Sequence, residues 1–220
     1  MWYGVLSMTA TIYPAFTDWP WQHWASHTPE HTALLLESTP VSWRVLSQKI
    51  GQLASSFMHQ GVTADAIVAV RGKNSAELLL AYLAVLQCGA RVLPLNPQLP
   101  EALLSELLPQ LNVDYGYSPD GEFRWPNGIA VLSASDAAST ALPSWQAQRL
   151  ATLTLTSGST GMPKAAAHSF QAHLSSAAGV LSLMPLEQDD SWLLSLPLFH
   201  VSGQGIVWRW LLAGASLAVR

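Results

Sequence analysis

Charge is scarce in this sequence: Asp, Glu, Lys and Arg make up 11% of its 220 residues, and the formal balance is −4. With 10 basic against 14 acidic side chains there is no basic stripe to follow a phosphate backbone, which argues against nucleic acid as a partner. Cysteine is scarcer still. Cys88 stands alone, so no internal disulfide framework exists, and a single thiol suits a reducing, cytoplasmic setting. No apolar run reaches the length of a membrane span. The first sixteen residues lack a basic start and a continuous apolar core, so they do not read as a signal peptide. Residues 1–17 are expected to form an N-terminal extension of uncertain order, with Met8 a second candidate start. What is abundant is apolar surface. Half of the residues are hydrophobic, enough for a sizeable globular core.

Periodicity predicts an α/β chain of alternating helices and mostly parallel strands. Ser42 caps a helix to about His59, with Val45, Leu46, Ile50, Leu53, Phe57 and Met58 as its apolar face. A strand Ile67 to Arg71, a helix Ala76 to Gln87 capped by Ser75, and a strand Val92 to Leu95 follow. Pro100 opens a helix through Leu111, and Val113 to Tyr117 reads as the next strand, the alternation typical of parallel-sheet units. Residues 118–148 read as irregular surface around a weak strand, Ile129 to Leu132. Further strands are expected at Thr152 to Thr156, Ala165 to His168, Trp192 to Leu196 and Ser216 to Val219. A helix capped by Ser169, with Phe170, Leu174, Ala178 and Leu181 at helical spacing, and another from Ser202 or Gly203 to Ala213 complete the pattern. No internal repeat or low-complexity tract occurs.

Thr156-Ser157-Gly158-Ser159-Thr160-Gly161-Met162-Pro163-Lys164 places four hydroxyls, two glycines and a lysine directly after a strand. Such a loop suits polyphosphate: glycines let backbone N–H groups converge, hydroxyls donate, and an ammonium offsets charge. A polar turn joining two strands would have a similar composition. The run is not a Walker loop, because Lys164 follows Met162-Pro163 and precedes Ala165 instead of closing a Gly-Lys-Ser/Thr ending.

The run Leu155 to Lys164 resembles the signature loop of the adenylate-forming superfamily: acyl-CoA synthetases, luciferases and nonribosomal adenylation domains. Ala165 stands where the family usually has Gly. Ser42-Trp43-Arg44-Val45-Leu46, Asn74-Ser75 and Cys88 to Pro97 resemble further family segments in the same order, mostly scaffold, so the resemblance covers about 18–220. Pro197-Leu198-Phe199-His200-Val201-Ser202-Gly203 resembles a second signature whose His lies beside the acyl pocket. A lone His at a strand end is otherwise an ordinary structural residue. The run Leu196 to Trp210, with Asp18-Trp19-Pro20-Trp21, is similar to the o-succinylbenzoate CoA ligase branch, which acts in menaquinone biosynthesis.

The resemblance implies a reaction in which a carboxylate attacks the α-phosphate of Mg-bound ATP, pyrophosphate leaves, and the CoA thiol then attacks the acyl adenylate. It implies phosphate binding by Thr156, Ser157, Gly158, Ser159, Thr160, Gly161 and Lys164, catalytic roles for Lys164 and His200, and acid binding by His200, Ser202, Gly203 and Arg209. It also implies that 18–220 is an incomplete large N-terminal domain, with subregions of about 18–150 and 151–220. The later family segments, which carry the ribose-binding acid and the mobile C-terminal domain, have no counterpart. Because the sequence stops within an expected strand, the chain is expected to be a fragment, inactive alone. Alternatives are another aryl or fatty acyl ligase, a carrier-loading adenylation domain, or a noncatalytic nucleotide-binding protein. The partners expected are ATP, Mg, CoA and a small acid; a homo-oligomer is left open.

Arg209 is the only charge between Val201 and Leu212. It either lays an apolar stem on the surface with its guanidinium in water or meets a second substrate carboxylate with paired hydrogen bonds. His23, His27 and His31 are spaced four apart, yet Pro29 interrupts the third turn and no Glu follows His23, so no metal site is assigned. Trp19, Trp21 and Trp24 are expected to pack in the interior.

Overall fold

The computed structural model describes residues 13–37, 39–156 and 161–220. Most of the expected extension therefore lies outside the described residues. The remainder rests on the body, with Tyr13 Oη donating to the Leu186 carbonyl at 3.4 Å and the Phe16 ring meeting His23 edge-on at 5.2 Å.

A helix not foreseen from the sequence, α1 (Pro20–His27), starts on Pro20, whose missing N–H is no loss in a first turn. It is followed by β1 (Thr32–Leu36), β2 (Thr39–Ser42) and α2 (Trp43–His59). β1 and β2 were missed because they are short and their alternation is poor. Then come β3 (Ile67–Arg71), α3 (Ala76–Gln87), β4 (Arg91–Leu95), α4 (Glu101–Gln110), β5 (Tyr115–Tyr117) and β6 (Ala130–Val131). β7 (Leu150–Thr156), β8 (Lys164–Ser169), α5 (Phe170–Leu181), β9 (Ser191–Leu193), α6 (Val201–Ala213) and β10 (Ser216–Val219) complete the order. Serine hydroxyls cap α2, α3 and α5 as the sequence implied: Ser42, Ser75 and Ser169 accept from the N–H groups of Val45, Leu78 and Ala172 at 3.4, 3.1 and 3.1 Å.

Two sheets result. The larger has the order β6-β5-β3-β4-β7-β8, parallel except for the β7–β8 hairpin, and the smaller has β2-β1-β10-β9, parallel except for β1–β2. Alternation along β3 explains how the larger sheet is buried on both faces: Val68 and Val70 enter a core shared with the smaller sheet, while Ile67 and Ala69 meet Leu104 and Leu108 of α4. The shared core contains α2, α3, α5 and α6, and α3 is apolar nearly all round because it is buried within it.

The tryptophans tie this core together, Trp19, Trp21 and Trp24 among them. The indole N–H groups of Trp21, Trp24, Trp43 and Trp208 reach Gln87 Oε1, Leu211 O, Gly214 O and Tyr82 Oη at 3.0, 2.7, 3.3 and 3.1 Å.

Several expectations need correction. Val45 is 39% exposed and does not join the α2 core face, and Ala178 is exposed, its place on α5 being taken by Ala177. The stretch 118–148 is irregular but not merely superficial, because Trp125 and Leu132 are buried. The strand expected from Trp192 to Leu196 ends at Leu193: the Asn74 side chain takes the carbonyls of Leu194 and Leu196, and the backbone leaves the sheet.

Candidate active site

In the β7–β8 hairpin Thr152, Thr154 and Thr156 lie opposite His168, Ala166 and Lys164. Side chains alternate along a strand, so these six share one face. Thr154, Thr156, Pro163, Ala166 and His168 form one wall of a cleft of about 400 Å³, and Phe199, His200 and Val201, where α6 begins, form another. Pro94, Asn96 and Leu99, at and beyond the end of β4, close the third side. The cleft thus opens beside the C-terminal ends of parallel strands, where open α/β sheets receive ligands.

At the turn end of the hairpin the Thr156 hydroxyl donates to the Lys164 carbonyl at 3.2 Å, and both side chains are exposed. Gly161 has φ of +123°, a conformation other residues rarely adopt, and a side chain there would meet nothing within 4 Å. Ser157, Gly158, Ser159 and Thr160 lie outside the described residues.

His200 is exposed at the first position of the cleft's α6 wall, its N–H donating to Pro197 O at 3.0 Å and its carbonyl accepting from Gln204 N at 3.1 Å. Ser202 is exposed and Gly203 buried; neither lines the cleft. Arg209 does not line it either. Its guanidinium lies 4.9 Å over the Trp192 ring, Nε donates to Gly205 O at 2.8 Å, and burial lowers its pKa. His31, beyond the end of α1, hydrogen-bonds Gln188 O at 2.5 Å, while the His23 and His27 rings stack at 4.1 Å.

Beneath the hairpin face lies a polar layer that sequence reasoning missed. Gln204 Nε2 donates to Thr154 Oγ1 at 3.1 Å, and Thr152 Oγ1 is hydrogen-bonded to His173 Nε2 at 2.8 Å. The His173 ring stacks on Trp208 at 4.7 Å with an interplanar angle of 4°. No local pattern marked that layer in the sequence; the two-residue period Lys164, Ala166, His168 signals only that His168 shares the lysine's side. Cys88 is buried, which pushes its thiol up to about 12 and leaves it inert at neutral pH. No described helix is long and apolar enough to cross a membrane.

The strands that flank the Ser/Gly/Thr run thus face His200 across one cleft of an α/β fold. The AMP-binding enzyme family matches residues 21–220, and the chain belongs to that family. It is 54% identical to the 2-succinylbenzoate–CoA ligase of Escherichia coli K12 over 93% of its own length and 45% of that relative's, and 41% identical to the Haemophilus influenzae enzyme of the same name over 90% and 42%. The structure of wild-type E. coli MenE with a bound m-phenylether-linked analogue of OSB-AMS superposes with a TM-score of 0.88 at 51% identity, covering 94% of this chain and 46% of that one. The chain therefore spans a little under half the length of these relatives.

His173 gives the site an acid sensitivity. Burial first, and the neighbouring His168 second, lower its pKa to about 3 from 6.5. Between those values the unfolded chain holds a proton that the folded one refuses, so stability present above pH 6.5 is lost as pH falls towards 3. One such proton amounts to about 1.4 kcal/mol per pH unit. In urea unfolding between pH 6 and pH 4, the protein should lose roughly 2 kcal/mol more than His173→Gln does; equal losses would contradict the assignment.

Proposed function

We propose that this chain is the N-terminal part of an AMP-forming 2-succinylbenzoate–CoA ligase, its residues 18–220 being an incomplete large N-terminal domain. The observation that carries the reading is the cleft shared by Thr156, Pro163 and His200, which joins the phosphate loop's flanks to the second signature. Similarity to ligases named for that substrate supports the choice of acid.

In the first half-reaction an oxygen of the succinyl carboxylate forms a bond to the α-phosphorus of ATP, and the bond to the bridging oxygen breaks, releasing pyrophosphate. Mg²⁺ enters with ATP and neutralises phosphate charge. In the second, the CoA sulfur bonds to the acyl carbonyl carbon and AMP departs. Thr156 to Thr160, Gly161 and the Lys164 ammonium hold the β- and γ-phosphates in line and offset charge growing on the leaving group. The exposed Lys164 at the hairpin's mouth fits that task. His200 meets the acyl adenylate, with Ser202 and Gly203 shaping the start of α6. Arg209 is assigned to the ring carboxylate on the similarity to ligases of that substrate; in this structure its guanidinium lies over Trp192, outside the cleft. The reaction is placed in the cytoplasm.

In the full-length enzyme Lys164→Ala removes one charge-assisted hydrogen bond of about 1.5 to 3 kcal/mol, roughly ten- to a hundredfold in adenylation rate. ATP–pyrophosphate exchange should fall by that factor while the acid KM changes little. An unchanged rate would remove Lys164 from the mechanism.

Arg209→Ala should lower kcat/KM for 2-succinylbenzoate by about a hundredfold or more, as breaking a desolvated ion pair does. A benzoyl analogue without the ring carboxylate should be indifferent to the substitution. A loss shared equally by both acids would show that Arg209 serves only the fold.

A further inference from the structure

We infer that Asn74 is a positioning residue for His200, holding the segment that carries it although Asn74 itself stands outside the cleft. The inference rests on the reading above that His200 meets the acyl adenylate. Asn74 is fixed first by its place in the chain, immediately before Ser75, whose hydroxyl caps α3. From there its carboxamide reaches across more than a hundred residues of sequence. Nδ2 donates to Leu196 O at 2.8 Å and to Leu194 O at 3.3 Å, and Oδ1 accepts from Leu198 N at 3.0 Å. One side chain therefore satisfies three main-chain groups of a segment that has left β9 and has no ladder of its own.

The same segment is also held by α6. A Cβ at Gly203 would stand 2.0 Å from Pro197 O and 2.6 Å from Leu196 O, so the helix lies directly on those carbonyls and only glycine fits. Leu198, 1% exposed, anchors the segment in the core, and His200 N closes the turn onto Pro197 O at 3.0 Å. The path from Leu194 to His200 is thus held by both the start of α3 and the start of α6. Of these contacts, the Asn74 carboxamide is the one made by a side chain with both donors and an acceptor. Asp offers no donor, and Ala offers neither.

Positioning matters because a shift of about 1 Å in a reacting geometry can cost a hundredfold in rate. In the full-length enzyme, Asn74→Ala should lower the turnover of 2-succinylbenzoate-dependent pyrophosphate exchange roughly ten- to a hundredfold, with the KM for ATP unchanged within about threefold. Asn74→Asp, which sets a carboxylate oxygen against the Leu194 and Leu196 carbonyls, should fall at least as far as Asn74→Ala. In a His200→Ala background Asn74→Ala should cost less than about threefold, since residues acting as a unit are not additive. A merely structural role would instead lower both backgrounds by the same factor, and that result would overturn the inference. Exchange unaffected by Asn74→Ala but impaired by His200→Ala would overturn the positioning role while leaving the proposed reaction standing. Exchange unaffected by His200→Ala would defeat both. A second readout needs no activity: in the 220-residue chain, Asn74→Ala should speed amide hydrogen exchange at Leu198 at least about tenfold, because that N–H loses its acceptor. An unchanged Leu198 rate would mean that the carboxamide does not hold the segment.

Discussion

The site depends on the register of one antiparallel hairpin. Thr156 lies opposite Lys164 and Thr152 opposite His168, so the threonines, the lysine and the histidine project from one face. A one-residue slip of β7 would carry the threonines to the other face, where Leu153 and Leu155 now pack against the core under α4, and would part them from Lys164 and His168. Leu153 prevents that slip by being buried, and beneath the cleft Thr152 and Thr154 are held by His173 and Gln204. The hydrophobic requirement on one face thus fixes the polar arrangement on the other.

The second wall of the cleft belongs to a different part of the fold, and the shared core keeps the two in place. α6 lies in that core through Ile206, Val207, Trp208, Trp210 and Leu211. Buried indoles restrict it further: Trp210 Nε1 reaches both Ala33 O and Ala215 O at 3.0 Å, and Trp208 reaches Tyr82 of α3. Unmade, each of these bonds would leave a buried donor at a cost of about 1 to 3 kcal/mol. The helix therefore has little freedom to translate, and His200 at its start inherits that restriction.

Much of this was legible in the sequence where a local rule coincides with a tertiary need. Ser42, Ser75 and Ser169 announced their helices because capping is decided within one turn. The hairpin that flanks the Ser/Gly/Thr run was legible because Thr152 to Thr156 and Ala165 to His168 both read as strands. The elements missed, α1, β1 and β2, are short, and long-range partners define them: β1 pairs with β10 across more than 180 residues. The excess length expected of β9 failed for the same reason, since Asn74, a distant side chain, takes the carbonyls that a neighbouring strand would have used. The polar layer under the hairpin was hidden because Thr, His and Gln at separated positions carry no pattern until the register brings them together. Arg209 stood out as a lone charge, but its stacking on Trp192 depends on where β9 lies.

In the proposed function the hairpin of β7 and β8 and the start of α6 bind a single ligand between them. The most direct measurement is an NMR titration of the chain with a hydrolysis-resistant sulfamoyl analogue of the 2-succinylbenzoyl adenylate, following Lys164 and His200 together. Both residues should respond with one shared dissociation constant, and Lys164→Ala should weaken the response at His200. Independent constants at the two residues, or a response at only one of them, would contradict it.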